Sequence, residues 1–141
     1  MALGPASRTA WAQPAEGGRT IVPGSPSPNY SRAVIFDRLV FVAGVLGVKP
    51  GSRELVSTEL EPQCRQVLEN IKSAVEAAGS TMDRVLKCTC FLTEAADFAK
   101  FNEIYVQFFP KDPPARSTVI VKALVLSEAR VEVDCVASVR G

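Results

Sequence analysis

The sequence contains no histidine among its 141 residues. This absence excludes Ser-His-Asp and Cys-His nucleophile pairs, imidazole acid–base catalysis and histidine-ligated metal sites. Any chemistry must therefore come from carboxylates, Tyr, Cys, Lys, Arg, backbone groups and water. The sequence also has no apolar run that is long enough to span a bilayer. We therefore expect no membrane partner.

The chain has no marked excess of charge of either sign. Its 16 Lys and Arg residues nearly balance its 15 Asp and Glu residues, and the two signs are interspersed. No global field favours nucleic acid, which is therefore not an expected partner. The hydrophobic share of 47% is enough to bury a core without disulfides or a metal.

The N-terminal segment differs in composition from the rest. Residues 1–18 are rich in Ala, Gly and Pro and have no long apolar stretch, so a secretory signal is not expected. We predict a disordered or flexible tail there and a single domain over residues 19–141. The expected location is the cytoplasm, with a mitochondrial or other organelle location left open by weak transit-peptide features.

The four cysteines, Cys64, Cys88, Cys90 and Cys135, include no C-x-x-C pair. Their spacing suits neither a zinc site nor a small disulfide scaffold. Cys88 and Cys90 lie two residues apart in an apolar stretch, which places both on one face of a strand. We predict free thiols that are buried as small hydrophobic groups.

Hydrophobic periodicity predicts an α+β domain. One helix should begin near a capping box of Thr58 and Glu61 and end before Gly79, and a second should cover residues 97–109. After a short edge strand that ends at Pro23, the alternating stretches predict strands over 32–37, 38–47, 84–94, 115–125 and 130–139. We expect both helices on one face of the sheet, and self-association would cover the other face.

One cation stands at the start of a predicted strand, directly after a proline-rich loop. The planar guanidinium of Arg116 can grip a carboxylate through two hydrogen bonds. Two alternatives stay open: Arg116 reaches into water, or it forms a partly buried ion pair with Glu132 and Asp134. These two carboxylates share one face of the last strand, opposite its valines.

Four further residues are candidates for a site. Tyr30 lies in a proline-rich loop, and Gly44 would either permit close approach of a ligand or mark a bulge. Asn102 is a polar residue within the apolar stripe of the second helix. Thr118 comes two residues after Arg116, so in a regular strand both side chains point to the same face.

Two stretches resemble the signatures of a known family. "PPARSTV" (113–119) is similar to P-A-R-[SA], and "RVEVDCVASVR" (130–140) is similar to the ending I-E-I-E-A-[IV]-A. The segments "VFVAGVLG", "VEAAGSTMDRVLKCTCFL" and "DFAKFNEIYVQFF" agree in order and spacing. On these residues the chain resembles the RidA (YjgF) family, the reactive-intermediate deaminases, over roughly residues 20–140.

The resemblance implies a chorismate-mutase-like, ferredoxin-like α+β subunit with a mixed sheet. It also implies a homotrimer whose sheets form a central barrel, with three clefts between neighbouring subunits. The implied reaction is hydrolysis of 2-imino acids or their enamine tautomers, such as 2-iminobutanoate and 2-aminoacrylate, to 2-keto acids and ammonia. The implied ligand is thus a small imino or keto acid, and neither a metal nor an organic cofactor is implied.

The resemblance also implies roles for the candidate residues. Arg116 would clamp the substrate carboxylate, and Asp134 stands where the family has a glutamate that positions water. The other four would bind substrate: Tyr30 closes the pocket, Gly44 offers its backbone, Asn102 shapes the cleft and Thr118 lines it.

Two departures from the family pattern keep other functions open. Asp134 is one methylene shorter than glutamate, and Ala43-Gly44-Val45 replaces the family's S-G-Q, which removes a hydroxyl and an amide. One alternative is a regulatory trimer that binds a carboxylate or keto acid without turnover. The other is an endoribonuclease or translation inhibitor, although the lack of histidine and of a basic stripe argues against an efficient nuclease.

Overall fold

The structure is a computed structural model that describes residues 18–139, so the tail expected over residues 1–18 lies outside the described residues except for Gly18. The described part forms strands and helices in the predicted order. Their bounds are β1 Thr20–Val22, β2 Ala33–Phe36, β3 Leu39–Leu46, α1 Leu60–Ala77, β4 Val85–Leu92, α2 Phe98–Phe108, β5 Ala115–Ile120 and β6 Val131–Ser138. The α+β class is confirmed.

The strands form one mixed sheet in the order β1-β2-β3-β6-β4-β5. β4 and β5 are parallel, because α2 provides the crossover between them, and the other neighbours are antiparallel. β5 is therefore an edge strand, and β4 separates it from β6. As a result, the strand of Arg116 is not beside the strand of Glu132 and Asp134.

Both helices pack on one face of the sheet, as predicted. Along β6 the burial alternates, with Val131, Val133 and Cys135 buried and the residues between them partly exposed. The largest fully buried side chains of the helices include Leu68, Ile71, Phe101 and Ile104. The core thus lies between the helices and this face of the sheet.

All four cysteines are free and buried, as predicted. Burial raises the pKa of both Cys64 and Cys90 to about 12. A thiol becomes reactive when it ionises, so these two side chains behave as small apolar groups at neutral pH.

The opposite face of the sheet, called here the open face, carries large apolar side chains that no described element covers. Four of these side chains are each between 43% and 51% exposed: Ile21, Phe36, Phe41 and Val119. Along each strand they alternate with residues that face the helices. Exposed apolar side chains gathered on one face are typical of a protein–protein contact. The open face therefore agrees with the expected self-association.

The ends of α1 agree with the sequence pattern at one end only. Gly79 adopts a left-handed backbone conformation (φ +87°) directly after Ala78, the C-cap residue of the helix, as expected of a glycine that terminates a helix. The predicted capping box is wrong, because the helix begins at Leu60 and Glu59 precedes it without a side-chain cap. Ser57 instead accepts a hydrogen bond from the backbone N–H of Glu59 (2.9 Å).

A completely buried amide, Gln63, connects the start of α1 to the segment between β5 and β6. Its Nε2 donates to the carbonyls of Ser57 (3.0 Å) and Glu128 (2.9 Å). Its Oε1 accepts from the backbone N–H of Arg130 (2.8 Å). These bonds satisfy three backbone groups that the irregular chain there would otherwise leave unpaired.

Gln63→Leu should lower the free energy of unfolding by about 2–4 kcal/mol, because it leaves buried backbone groups without partners. Urea denaturation checks this. The matched control is Gln66→Leu on the same helix, since the Gln66 amide donates to the side chain of Asn70 and to no backbone group among residues 18–139. Equal stability losses in the two variants would contradict the assigned role of Gln63.

Candidate functional site

The side chain of Arg116 lies against α2 on the helix side of β5. Its Cζ is 4.7 Å from the ring centroid of Tyr105 and 5.6 Å from those of Phe98 and Phe101. Its Nη2 donates a hydrogen bond to Oδ1 of Asn102 at 2.7 Å. Three aromatic rings and one amide thus hold a partly buried guanidinium.

Helical spacing places these partners together. Phe98, Phe101, Asn102 and Tyr105 occupy positions i, i+3, i+4 and i+7 of α2, which share one side of a helix. The polar Asn102 thus lies on the stripe that contacts Arg116.

The β4–β5 register explains the orientation of Arg116 and Thr118. Arg116 pairs with Cys88 and Thr118 with Cys90, and both cysteines are buried beneath the helices. Paired residues of neighbouring strands point to the same face. Arg116 and Thr118 therefore share the helix side of β5, as their spacing predicted.

No anionic group of the described chain offsets the charge of Arg116. Burial and contact with Cys88 raise the pKa of Tyr105, and burial raises that of Cys88, so both remain neutral. The predicted alternative of an ion pair with Glu132 and Asp134 is wrong. The salt bridges found within residues 18–139 are Lys49–Glu54, Arg65–Glu61, Lys100–Glu103 and Arg130–Asp97.

A second group of candidate residues lies where β3 meets β6. Val42 pairs with Cys135 and Val45 with Val133, so Ala43 and Gly44 together oppose the single residue Asp134. This is a β-bulge, one of the two alternatives predicted for Gly44. Position 44 requires a glycine because the side chain of Glu132 leaves no room there for a Cβ.

The carboxylate of Glu132 occupies the space that a side chain at position 44 would fill. A Cβ on Gly44 would overlap Oε2 of Glu132 and lie 3.1 Å from its Cδ. Burial, and next the charge of Asp134, raise the pKa of Glu132 above its ordinary value. A carboxyl group whose pKa is raised toward neutrality is suited to proton transfer.

Tyr30 lies near the same bulge. Its side chain is 48% exposed, and its carbonyl accepts a hydrogen bond from Ser25 Oγ (2.6 Å) that fixes the loop. It lines a surface depression of about 520 Å³ together with Asn29, Phe41 and Ala43. The Tyr30 loop therefore borders the bulge at Ala43 and Gly44.

The candidate residues therefore form two groups on opposite faces of one subunit. Arg116, Asn102 and Thr118 lie on the helix side of the edge strand β5. Glu132 and Asp134 alternate with the buried residues of β6 and so point to the open face, next to Gly44. A single subunit does not bring Arg116 and these carboxylates together.

The sequence pattern did not single out Glu132 or the three rings around Arg116. Glu132 and Asp134 have the same parity on β6, so alternation cannot separate them. The rings belong to the apolar stripe of α2, where a core role is the ordinary interpretation. Their contact with Arg116 depends on the parallel crossover from β4 to β5, which no local pattern specifies.

The described residues contain neither a metal-binding cluster nor a helix that could span a membrane. Across residues 18–139, no cluster of three or more Cys, Asp or Glu side chains could hold a metal ion. No helix of the same part is both long and apolar enough to cross a membrane.

Comparison with known proteins matches residues 23–139 to the family model described as Endoribonuclease L-PSP. A relative from Arabidopsis thaliana, named Reactive Intermediate Deaminase A, chloroplastic, is 43% identical over 77% of this chain, which spans only 58% of that relative's length. The human 2-iminobutanoate/2-iminopropanoate deaminase is 38% identical, with 82% of each chain covered. The solved structure of E. coli TdcF with bound serine superposes with a TM-score of 0.75 at 34% identity, covering 84% of this chain and 94% of that one.

Asp134→Asn should lower the pKa of Glu132 without returning it to its ordinary value, because burial is the larger cause of the shift. Carboxyl-carbon NMR titration of Glu132 measures this change in pKa.

Since protonation of Glu132 is favoured in the folded state, the stability that Glu132 contributes should be present below about pH 4.3 and be lost as pH rises through its folded pKa. Glu132→Gln should remove this pH dependence, and an unchanged profile would contradict the assignment.

Proposed function

This chain belongs to the Endoribonuclease L-PSP family, and on that premise we propose that it hydrolyses 2-imino acids and their enamine tautomers to 2-keto acids and ammonia. The observation that carries the proposal is the partly buried guanidinium of Arg116, which has no anionic partner within the described chain. A small 2-imino acid supplies the missing carboxylate. The names of the Arabidopsis and human relatives support the same chemistry.

We further propose that the active assembly is a homotrimer with its sites between subunits. The uncovered apolar side chains of the open face support association through that face. The opposite placement of the two residue groups supports a shared site, because one subunit cannot complete it. Each cleft would combine Arg116, Asn102 and Thr118 of one subunit with Tyr30, Gly44, Glu132 and Asp134 of the next.

In the proposed reaction, Arg116 binds the substrate carboxylate and so places the imine carbon in the cleft. A water molecule attacks that carbon, and Glu132 accepts a proton from the water as the carbon–oxygen bond forms. Glu132 returns this proton to the nitrogen, which gives a carbinolamine, and transfer of the hydroxyl proton to the same nitrogen then lets the carbon–nitrogen bond break. Ammonia leaves and the carbonyl of the 2-keto acid forms.

Glu132 is the first candidate for the carboxylate that accepts a proton from the attacking water. It contacts Gly44, and its raised pKa suits a group that must both accept and return a proton. Asp134, predicted for this role from the family resemblance, would adjust the pKa of Glu132 through its charge and remains the second candidate. Tyr30 would close the cleft above the bulge.

A regulatory protein that binds a keto acid without turnover is the second candidate function. The group around Arg116 is complete on its own side of the sheet and does not need Glu132 to bind a carboxylate. Binding with no imine hydrolysis would favour this function over the deaminase.

The test generates 2-iminobutanoate from threonine with a dehydratase and follows its loss by trapping with semicarbazide. Arg116→Ala should lower kcat/KM by about 10²-fold or more, because the carboxylate loses its charged partner. Glu132→Gln should lower kcat by about 10²–10⁴-fold, and Asp134→Asn should lower it less.

The matched control is Arg65→Ala, since Arg65 is an exposed arginine paired with Glu61 on α1. It should clear imine as the unmodified protein does. Imine clearance by Arg116→Ala at the unmodified rate would overturn the proposed function. Keto-acid binding by calorimetry with inert kinetics would establish the regulatory alternative instead.

A further inference from the structure

We propose that Phe98, Phe101 and Tyr105 form an aromatic cage that positions the guanidinium of Arg116 for binding a carboxylate, and that Tyr105 is its principal member. The cage is defined by the three rings whose centroids lie 4.7–5.6 Å from Cζ of Arg116. The proposal rests on the proposed function for the role of Arg116. It adds the residues that act through Arg116 without touching the substrate.

The cage and a carboxylate use different parts of the same guanidinium. Aromatic rings attract a cation through their π faces, whereas a carboxylate binds to the N–H groups at the edge of the guanidinium plane. Asn102 accepts a hydrogen bond from Nη2. No hydrogen bond from Nε or Nη1 is present within the described part of the chain, so those donors remain for a ligand.

Tyr105 has the position expected of a fixed platform. Its ring is the closest of the three to Arg116, and the residue is only 3% exposed. The rings of Phe101 and Phe109 hold it at centroid distances of 5.5 and 4.7 Å. Phe98, in contrast, is 43% exposed and forms the outer wall of the cage.

A fixed platform matters because a free arginine side chain has many rotamers. Ordering such a side chain on binding reduces affinity, and holding it in the bound geometry beforehand avoids that loss. Tyr105 also remains neutral beside Cys88, so it attracts the guanidinium without neutralising its charge. The cage therefore orders Arg116 and leaves its full charge for the ligand.

A purely structural role for Tyr105 makes a different prediction. If the ring only filled the core, its loss would reduce stability and leave ligand affinity in the folded protein unchanged. If the ring positions Arg116, its loss should raise KM far more than it lowers kcat, because carboxylate binding weakens equally in the ground state and the transition state.

The experiment compares Tyr105→Leu with Tyr105→Phe, which retains the ring and removes only the hydroxyl. Calorimetry with 2-ketobutyrate should show affinity about tenfold weaker in Tyr105→Leu and within about twofold of the unmodified protein in Tyr105→Phe. KM for 2-iminobutanoate should follow the same order, with kcat nearly constant. Phe98→Leu, at a half-exposed position that tolerates change, should weaken affinity by about threefold.

Leu68→Ala is the matched control for lost core packing, because Leu68 is fully buried on α1 and makes none of the cage contacts. It should lower Tm without changing the affinity for 2-ketobutyrate. The cage would be overturned if Tyr105→Leu and Phe98→Leu both bound 2-ketobutyrate like the unmodified protein while Arg116→Ala did not bind it. That result would leave the carboxylate-binding role of Arg116 intact.

A readout without ligand separates the cage from the proposed function. The guanidinium NMR signal of Arg116, assigned by its disappearance in Arg116→Lys, should carry a ring-current shift in the unmodified protein and in Tyr105→Phe. Tyr105→Leu should lose most of that shift, and a retained shift would overturn the cage. If the ring-current shift is as expected but neither the unmodified protein nor any variant binds 2-ketobutyrate, the proposed function is overturned. The role of the cage in binding is then overturned with it.

Discussion

The unpaired charge of Arg116 is the constraint on which this account of the site depends. Removing a charge from water is unfavourable unless another group compensates, and Arg116 has no carboxylate partner within the described chain. Aromatic faces and the Asn102 amide compensate in part without neutralising the charge. The guanidinium is therefore held in place while it keeps its charge, as the proposed binding of an anion requires.

The order of the strands determines what a single subunit can and cannot do. The crossover through α2 makes β5 an edge strand and directs Arg116 toward the helices, whereas β6 lies inside the sheet and directs Glu132 toward the open face. The sheet itself therefore separates the proposed anion-binding group, Arg116, from the proposed proton acceptor, Glu132. The exposed apolar side chains of the open face give a physical reason for association, and association is also what could unite the two groups.

Local patterns predicted much of the fold and part of the site. Alternation and helical spacing gave the strands, both helices and the shared orientation of Arg116 and Thr118, because these depend only on neighbours in sequence. The ion-pair alternative for Arg116 failed because it depended on which strands pair, a long-range property. The water-positioning role was predicted for Asp134, and alternation could not separate it from Glu132, because the bulge at Ala43 and Gly44 decides which carboxylate lies against the glycine.

The shared site is the central claim, and mixed assemblies test it most directly. Arg116→Ala and Glu132→Gln subunits with different affinity tags would be co-expressed, and assemblies carrying both tags isolated for the imine assay. In a trimer whose sites join Arg116 of one subunit to Glu132 of the next, every mixed assembly has one intact site and should regain about one third of the unmodified activity. Mixed assemblies as inactive as the two parents, beside active double-tagged unmodified protein, would contradict the claim.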